Sequence, residues 1–195
     1  MAIVQQEVRR LQRILRELVD FARRRRDEAA LVSVQAVVED ALRLLRHDAR
    51  MRRVTTSVDF DPETPPVFMV EDHLMQVVLN LLINAIDAMP QGGTIRIDLR
   101  PIESNVALRI RDTGIGLEPE ALNRCFEPLF STKAPGKGTG LGLSISRDIL
   151  RESGGDIELH GAPARGATAI VVIPQAAAPS VRGAASAPSI GAPPS

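Results

Sequence analysis

An α/β domain around one core, carried behind a long amphipathic helix, is the fold class that the sequence predicts. Three observations point to it. Val4, Val8, Leu11, Leu15, Leu18 and Ala22 step alternately by four and three residues, the seam of a helix that needs a partner helix. From Ser33 onward, segments of helical period and segments of strand period succeed one another. The chain has 195 residues, 44% hydrophobic and 25% charged, enough for one good-sized core with an appendage and incompatible with disorder throughout.

Composition narrows the classes further. No apolar run approaches the roughly 20 residues that span a bilayer, and the arginine-rich N-terminus does not read as a signal peptide. A single cysteine excludes a disulfide framework and fits a reducing cytoplasm. The formal net charge is zero but unevenly spread: residues 1–53 carry 13 Arg and 8 acids, residues 54–195 carry 9 Arg, 2 Lys and 16 acids. The arginines of the first part interleave with acids at helical spacing, and base-stacking aromatics are scarce. A solvated helical face therefore accounts for them better than nucleic acid or a membrane surface.

In order, residues 3–26 read as the seam helix, widened by Ile14 and Phe21. Ser33 caps a second helix with Val34, Val37, Val38, Ala41, Leu42 and Leu45 on its apolar face, expected to run to about Arg53. A strand over Val54–Phe60 follows, then a proline-rich break and a short strand at Val67–Val70. A third helix occupies Glu71–Met89, closed by Pro90, Gly92 and Gly93. Two alternating strands carry Ile95, Ile97, Leu99 and then Val106, Leu108, Ile110. Residues 113–138 read as a loop, 139–153 as a helix, and Ile157–Leu159 and Ala169–Ile173 as the last strands. From Gln175 onward the Ala, Pro, Ser and Gly composition cannot bury a core and is expected to be disordered.

Chemistry concentrates in four stretches. Asn80, Asn84 and Asp87 share one face of an otherwise apolar helix, at i, i+4 and i+7. That face is either a structural polar network or the lining of a ligand cavity, where carboxamide oxygens suit a hard cation such as Mg²⁺. Asp112-Thr113-Gly114-Ile115-Gly116 follows a strand whose parity points Asp112 to the covered face. It is a plain turn, or a carboxylate that accepts from an exocyclic amine while Gly114 and Gly116 let backbone approach a flat ring. Gly138-Thr139-Gly140-Leu141-Gly142-Leu143 opens a helix, where free N–H groups and the macrodipole can hold phosphates, though glycine strings also make plain loops. The only two lysines, Lys133 and Lys137, lie just before it among 22 arginines elsewhere.

With Phe126-Glu127-Pro128-Leu129-Phe130-Ser131-Thr132-Lys133, these stretches resemble, in order, the N, G1, F and G2 boxes of sensor histidine kinases. Those kinases fall within the gyrase/chaperone/MutL-type ATPase superfamily, and the F box is of the nitrogen-regulatory kind. The resemblance covers roughly residues 31–174 and extends to Gly166-Ala167-Thr168 and Ile173-Pro174. It implies a two-layer α/β (α+β) sandwich, a mixed sheet covered on one face by helices. It also divides the chain into residues 1–30, similar to the second helix of a dimerisation and phosphoacceptor hairpin, an ATP-binding domain over 31–174, and a tail over 175–195.

Carried over position by position, Asn84 is implied as the Mg²⁺ ligand, with Asn80 its neighbour near the phosphates and Asp87 among the nucleotide-binding residues. Asp112 would bind the adenine N6, with Gly114 and Gly116 beside it and Thr168 behind. Residues 117–137 would form a lid anchored by Phe126 and Phe130. Thr132, Lys133, Lys137 and the backbone of Gly138, Thr139, Gly140, Leu141 and Gly142 would face the phosphates. The expected catalytic group is Asn80, Lys133 and Lys137. Implied partners are ATP, a phosphoacceptor hairpin, a response regulator receiver domain, and a second copy through residues 4–22, with no nucleic acid and no membrane contact.

One feature departs from the family. Its phosphoacceptor histidine sits in an acidic and Arg/Asn-Pro context, which none of His47, His73 and His160 matches. The chain is thus expected to begin after the phosphoacceptor and not to phosphorylate itself alone. Hydrolytic relatives carry a Glu base where this chain has Asn80, and an amide cannot take a proton from water, which favours a kinase over an ATP hydrolase. A non-catalytic nucleotide-sensing or dimerising module is the other alternative.

Overall fold

The computed structural model describes residues 28–133 and 138–176. The expected seam helix over 3–26, Lys137, and the chain from 177 onward lie outside the described residues.

Five strands make the main sheet: β2 (Val54–Phe60), β4 (Gly93–Ile102), β5 (Asn105–Asp112), β6 (Asp156–Gly161) and β7 (Ala167–Pro174), in the spatial order β2-β4-β5-β7-β6. β2 runs parallel to β4 and every other pairing is antiparallel, so the sheet is mixed. A separate pair joins β1 (Ala30–Val32) to β3 (Val67–Met69). Helices α1 (Val34–Leu45), α2 (Glu71–Asp87) and α4 (Gly142–Glu152) cover one face of the large sheet, and a short α3 (Pro119–Arg124) stands in the loop before α4.

The alternation read in the sequence sets which side faces the helices. Ile95, Ile97 and Leu99 lie opposite Asp112, Ile110 and Leu108. Ile110 and Leu108 in turn face Ala169 and Val171 on β7. All of these point inward, against Leu74, Val78, Leu81, Leu82 and Ile86 of α2. Removing one such side chain, as in Leu82→Ala, would cost ~2–5 kcal/mol. Because side chains alternate along a strand, register carries Asp112 inward with the apolar residues, and it is buried.

Five local expectations change. α1 starts at the expected cap, where Ser33 Oγ accepts from Ala36 N at 3.3 Å, but ends at Leu45 instead of Arg53. Asp48 stops it: its carboxylate accepts from Arg50 N at 2.9 Å and caps a separate 3-10 turn, Ala49–Arg53. β1 escaped notice because three residues carry too little period. α3 lies within the stretch read as loop, although Pro119 at its first turn is a standard start signal. The last helix begins at Gly142 instead of 139. Gln175, assigned to the tail, belongs to the fold: it bridges Val67, and its amide donates to Glu103 O and Asn105 O at 3.0 and 3.1 Å.

Candidate functional site

Between α2 and the sheet, beneath the loop from α3 to α4, lies a cavity of about 460 Å³. That size suits a small organic ligand. α2 contributes Asn80, Asn84 and Asp87 to its wall, β5 and the following loop give Asp112 and Gly116, and the loop before α4 gives Phe130, Thr132, Lys133, Gly138, Thr139, Gly140 and Gly142. Three of the four sequence stretches, far apart in the chain, thus meet at one cavity with part of the fourth. Gly114, Phe126, Leu141 and Thr168 are not in its lining, and Lys137 lies outside the described residues.

Asp112 sits at one end, 6% exposed. Its Oδ1 accepts from Gly114 N at 2.8 Å and Ala167 N at 3.2 Å, which fixes the carboxylate plane. Burial pushes its carboxyl above the usual range, against the opposing pull of those two N–H groups. The backbone around it is tightly laid. Ile115 N donates to Ala88 O at 3.0 Å and Ala164 N to Ile115 O at 2.7 Å. Gly116 has φ +71°, and a Cβ there would collide with Ala162 O. Gly114 stands off the cavity because it packs on Ala88, where a Cβ would meet the carbonyl oxygen.

The other end is polar. Asn80 Nδ2 donates to Ser146 Oγ of α4 at 3.0 Å, and Asn84 Nδ2 lies 3.5 Å from Asn80 Oδ1. Lys133 Nζ donates to Asn84 Oδ1 at 3.0 Å and to Asp87 Oδ2 at 2.7 Å. Asp87 also pairs with Arg50, whose guanidinium grips Asp48 at 2.5–3.1 Å and holds that carboxyl down at about 2. A Cβ on Gly142 would strike Asn80 Oδ1, so glycine there lets α4 approach α2 closely. α4 starts without a side-chain cap, which leaves its first-turn N–H groups available to a ligand.

The loop over the cavity is pinned by two arginines on phenylalanine rings. Arg147 of α4 lies 4.6 Å over Phe126, and Arg124 lies 4.6 Å over Phe130. Phe126 therefore turns toward α4 and the core while Phe130 reaches the cavity. Leu129 between them takes φ 67°, unusual for a branched side chain, and is exposed. Cys125 also lines the cavity; its thiol donates to Leu122 O at 3.1 Å, and burial pushes its pKa up.

Sequence reasoning missed Arg50, Ser146 and Arg147. A serine buried on the apolar side of α4 was the one available signal for Ser146. Arg50 and Arg147 gave none, being two of many arginines.

Residues 69–177, more than half of the chain, match the family of histidine kinase-, DNA gyrase B-, and HSP90-like ATPases. The chain belongs to this family. Within it, the chain is homologous to the ATP-binding catalytic domains of sensor histidine kinases from two-component systems. It is 34% identical over 175 residues to the signal transduction histidine-protein kinase AtoS of Escherichia coli, covering 89% of this chain and 28% of that protein. The catalytic domain of the histidine kinase ThkA superposes with a TM-score of 0.68 at 28% identity, over 76% of this chain and 96% of that one. ThkA in complex with the response regulator TrrA gives 0.73 at 26% identity, over 89% and 50% of the two chains. The chain spans between 23% and 37% of the length of three curated relatives it matches. Among the described residues no helix is long and apolar enough to cross a membrane.

Proposed function

We propose that this chain is the catalytic part of a sensor histidine kinase. It binds ATP and presents the γ-phosphate to the imidazole of a histidine on a phosphoacceptor hairpin, from which a response regulator receiver domain takes the phosphate. One observation carries this reading: a single cavity holds a buried carboxylate at one end and, at the other, an oxygen-and-ammonium cluster beside the uncapped start of α4.

Asp112 then accepts from the adenine N6, Gly116 gives the ring close backbone contact, and Thr168 lies behind on β7. The triphosphate runs toward Thr132, Lys133 and the backbone of Gly138–Gly142, and Lys137 is the other lysine expected to meet it. Phosphoryl transfer asks mostly for positioning and charge neutralisation, which this set supplies.

Mg²⁺ fits the same end. The carboxamide oxygens of Asn80 and Asn84 are hard donors, and the Asn84 oxygen already accepts from an ammonium group. Among the described residues no three His, Cys, Asp or Glu side chains gather to hold a metal, so the ion would come with the phosphates. Asn84 would hold it, and there it would draw charge from the phosphate oxygens.

Hydrolysis is disfavoured. Asn80 turns its amide nitrogen to Ser146, and neither end of a carboxamide accepts a proton from water. Pairing through residues 4–22 and a cytoplasmic location complete the proposal.

The test is transfer in trans. The 195-residue chain with Mg·ATP should bind nucleotide, remain unlabelled and release phosphate slowly. A separately supplied hairpin bearing a phosphoacceptor histidine should become labelled, weakly, because no tether raises its effective concentration. An acid-labile, base-stable phosphate on the unsupplemented chain would overturn this and point to His47.

A further inference from the structure

Asp87 ends the asparagine face of α2, and the family resemblance counts it among the nucleotide-binding residues. Its oxygens are engaged differently. Oδ1 pairs with Arg50 and Oδ2 takes Lys133 Nζ at 2.7 Å. Arg50 comes from the 3-10 turn, 37 residues upstream, where it is fixed by Asp48 through Nε at 3.0 and 3.1 Å and Nη2 at 2.5 Å. Lys133 continues to Asn84 Oδ1 at 3.0 Å. An unbroken ionic chain, Asp48–Arg50–Asp87–Lys133, therefore runs from the surface turn to the lid side of the cavity.

We infer that Asp87 and Arg50 are positioning residues for the lid lysine and not ligands of nucleotide or metal. Three physical points support this. A bare carboxylate beside a polyphosphate would repel it, whereas in the Asp48–Arg50–Asp87–Lys133 chain each carboxylate is paired with a cation, so none faces the phosphates uncompensated. A lysine is a flexible point charge, and holding its ammonium in place before the ligand arrives removes ordering that binding would otherwise require. Arginine presents a fork that grips Asp48 with two donors and still reaches Asp87, so the brace is stiff where it meets the turn.

The inference rests on the proposed ATP site, and its test separates the two. The sequence has only two lysines, so a chain labelled with ¹³C,¹⁵N-lysine gives two Cε–Hε correlations. Without nucleotide, the Lys133 signal should stand apart from that of a free lysine in the intact protein. It should move to the free-lysine position in Asp87→Asn, and part of the way in Arg50→Ala. An unmoved Lys133 signal in Asp87→Asn overturns the brace whether or not ATP binds.

Calorimetry with ATP and adenosine supplies the second arm. Asp87→Asn should weaken ATP about tenfold and leave adenosine unchanged. In a Lys133→Met background the same substitution should cost less than about twofold, because the lysine it positions is gone. A full tenfold loss in that background would make Asp87 a direct ligand and sink the inference. Failure of the intact chain to bind ATP would instead sink the proposed function, with the lysine spectrum still deciding the brace.

Discussion

The two ends of the cavity are built by different means. At the Asp112 end the chain folds back on itself: a strand residue is fixed by N–H groups two and 55 positions away, and main-chain bonds tie the following loop to Ala88 and Ala164. At the Lys133 end the contacts between elements run through side chains. There, side chains from a surface turn, from α2 and from the lid reach one another across 37 to 49 residues through charge. The first end is a recess shaped by backbone around a buried carboxylate, suited to a flat neutral group. The second is a set of long side chains held by ion pairs, suited to an anion. Backbone geometry shapes the first end, and paired side-chain charge shapes the second.

Substitutions at the two ends should therefore separate base affinity from phosphate affinity. The largest effect is expected for Asp112→Asn. Losing a charge-assisted acceptor costs roughly 1.5–3 kcal/mol, or about 10- to 150-fold, and it should weaken ATP and adenosine alike by calorimetry. An ATP-only loss would break the division between the ends.

Acidification sharpens the same point. Burial raises the Asp112 pKa above 3.8, so its carboxylate is lost on acidification sooner than an ordinary aspartate's. Nucleotide affinity should fall as pH drops through that raised value, because a protonated carboxyl accepts poorly. Stability should move the opposite way: protonation relieves the cost of a buried charge, so this group favours the fold as pH falls. Affinity titrated against pH in the intact protein and in Asp112→Asn, where the slope should flatten, checks the sign.

Gly142→Ala comes next. The new methyl meets Asn80 Oδ1 and pushes α4 from α2, so Mg·ATP should weaken about tenfold while adenosine stays unchanged. Asn84→Ala should cost about five- to tenfold in Mg²⁺ but only about twofold in EDTA, since it removes a cation ligand. Equal losses in both media would make Asn84 structural. The smallest effect is expected for Arg147→Ala. It removes the stack on Phe126, worth about 0.5–1 kcal/mol, and a partly exposed ion pair with Asp156 at 3.0 Å that adds little, and should lower Tm by about 1–4 °C with adenosine affinity intact.

What was legible follows the same divide. Asp112 could be placed because strand parity is a local rule, and Asn80, Asn84 and Asp87 because helical period puts them on one face. Ser33 as a cap was equally readable. Arg50 was not: it lay inside an expected helix that Asp48 ends, and its partners stand 37 residues on and in the lid. Phe126 and Phe130 looked equivalent in the sequence, yet Arg147 draws one ring toward the core and leaves the other at the cavity. α3 and β1 are too short for periodicity to betray them, and Gln175 joined the fold through a bridge to Val67 that composition could not foresee.

By itself the sequence determined the order of helices and strands, the buried face of each, and the residue types able to meet an amine, a cation and a phosphate. Those are properties of local spacing, since backbone geometry repeats every 3.6 residues in a helix and every two in a strand. Only the tertiary structure decided which charged groups pair, how closely α4 approaches α2, and which phenylalanine faces the cavity. Ion pairs between long side chains and contacts between elements depend on distances across the fold, and no local period encodes them.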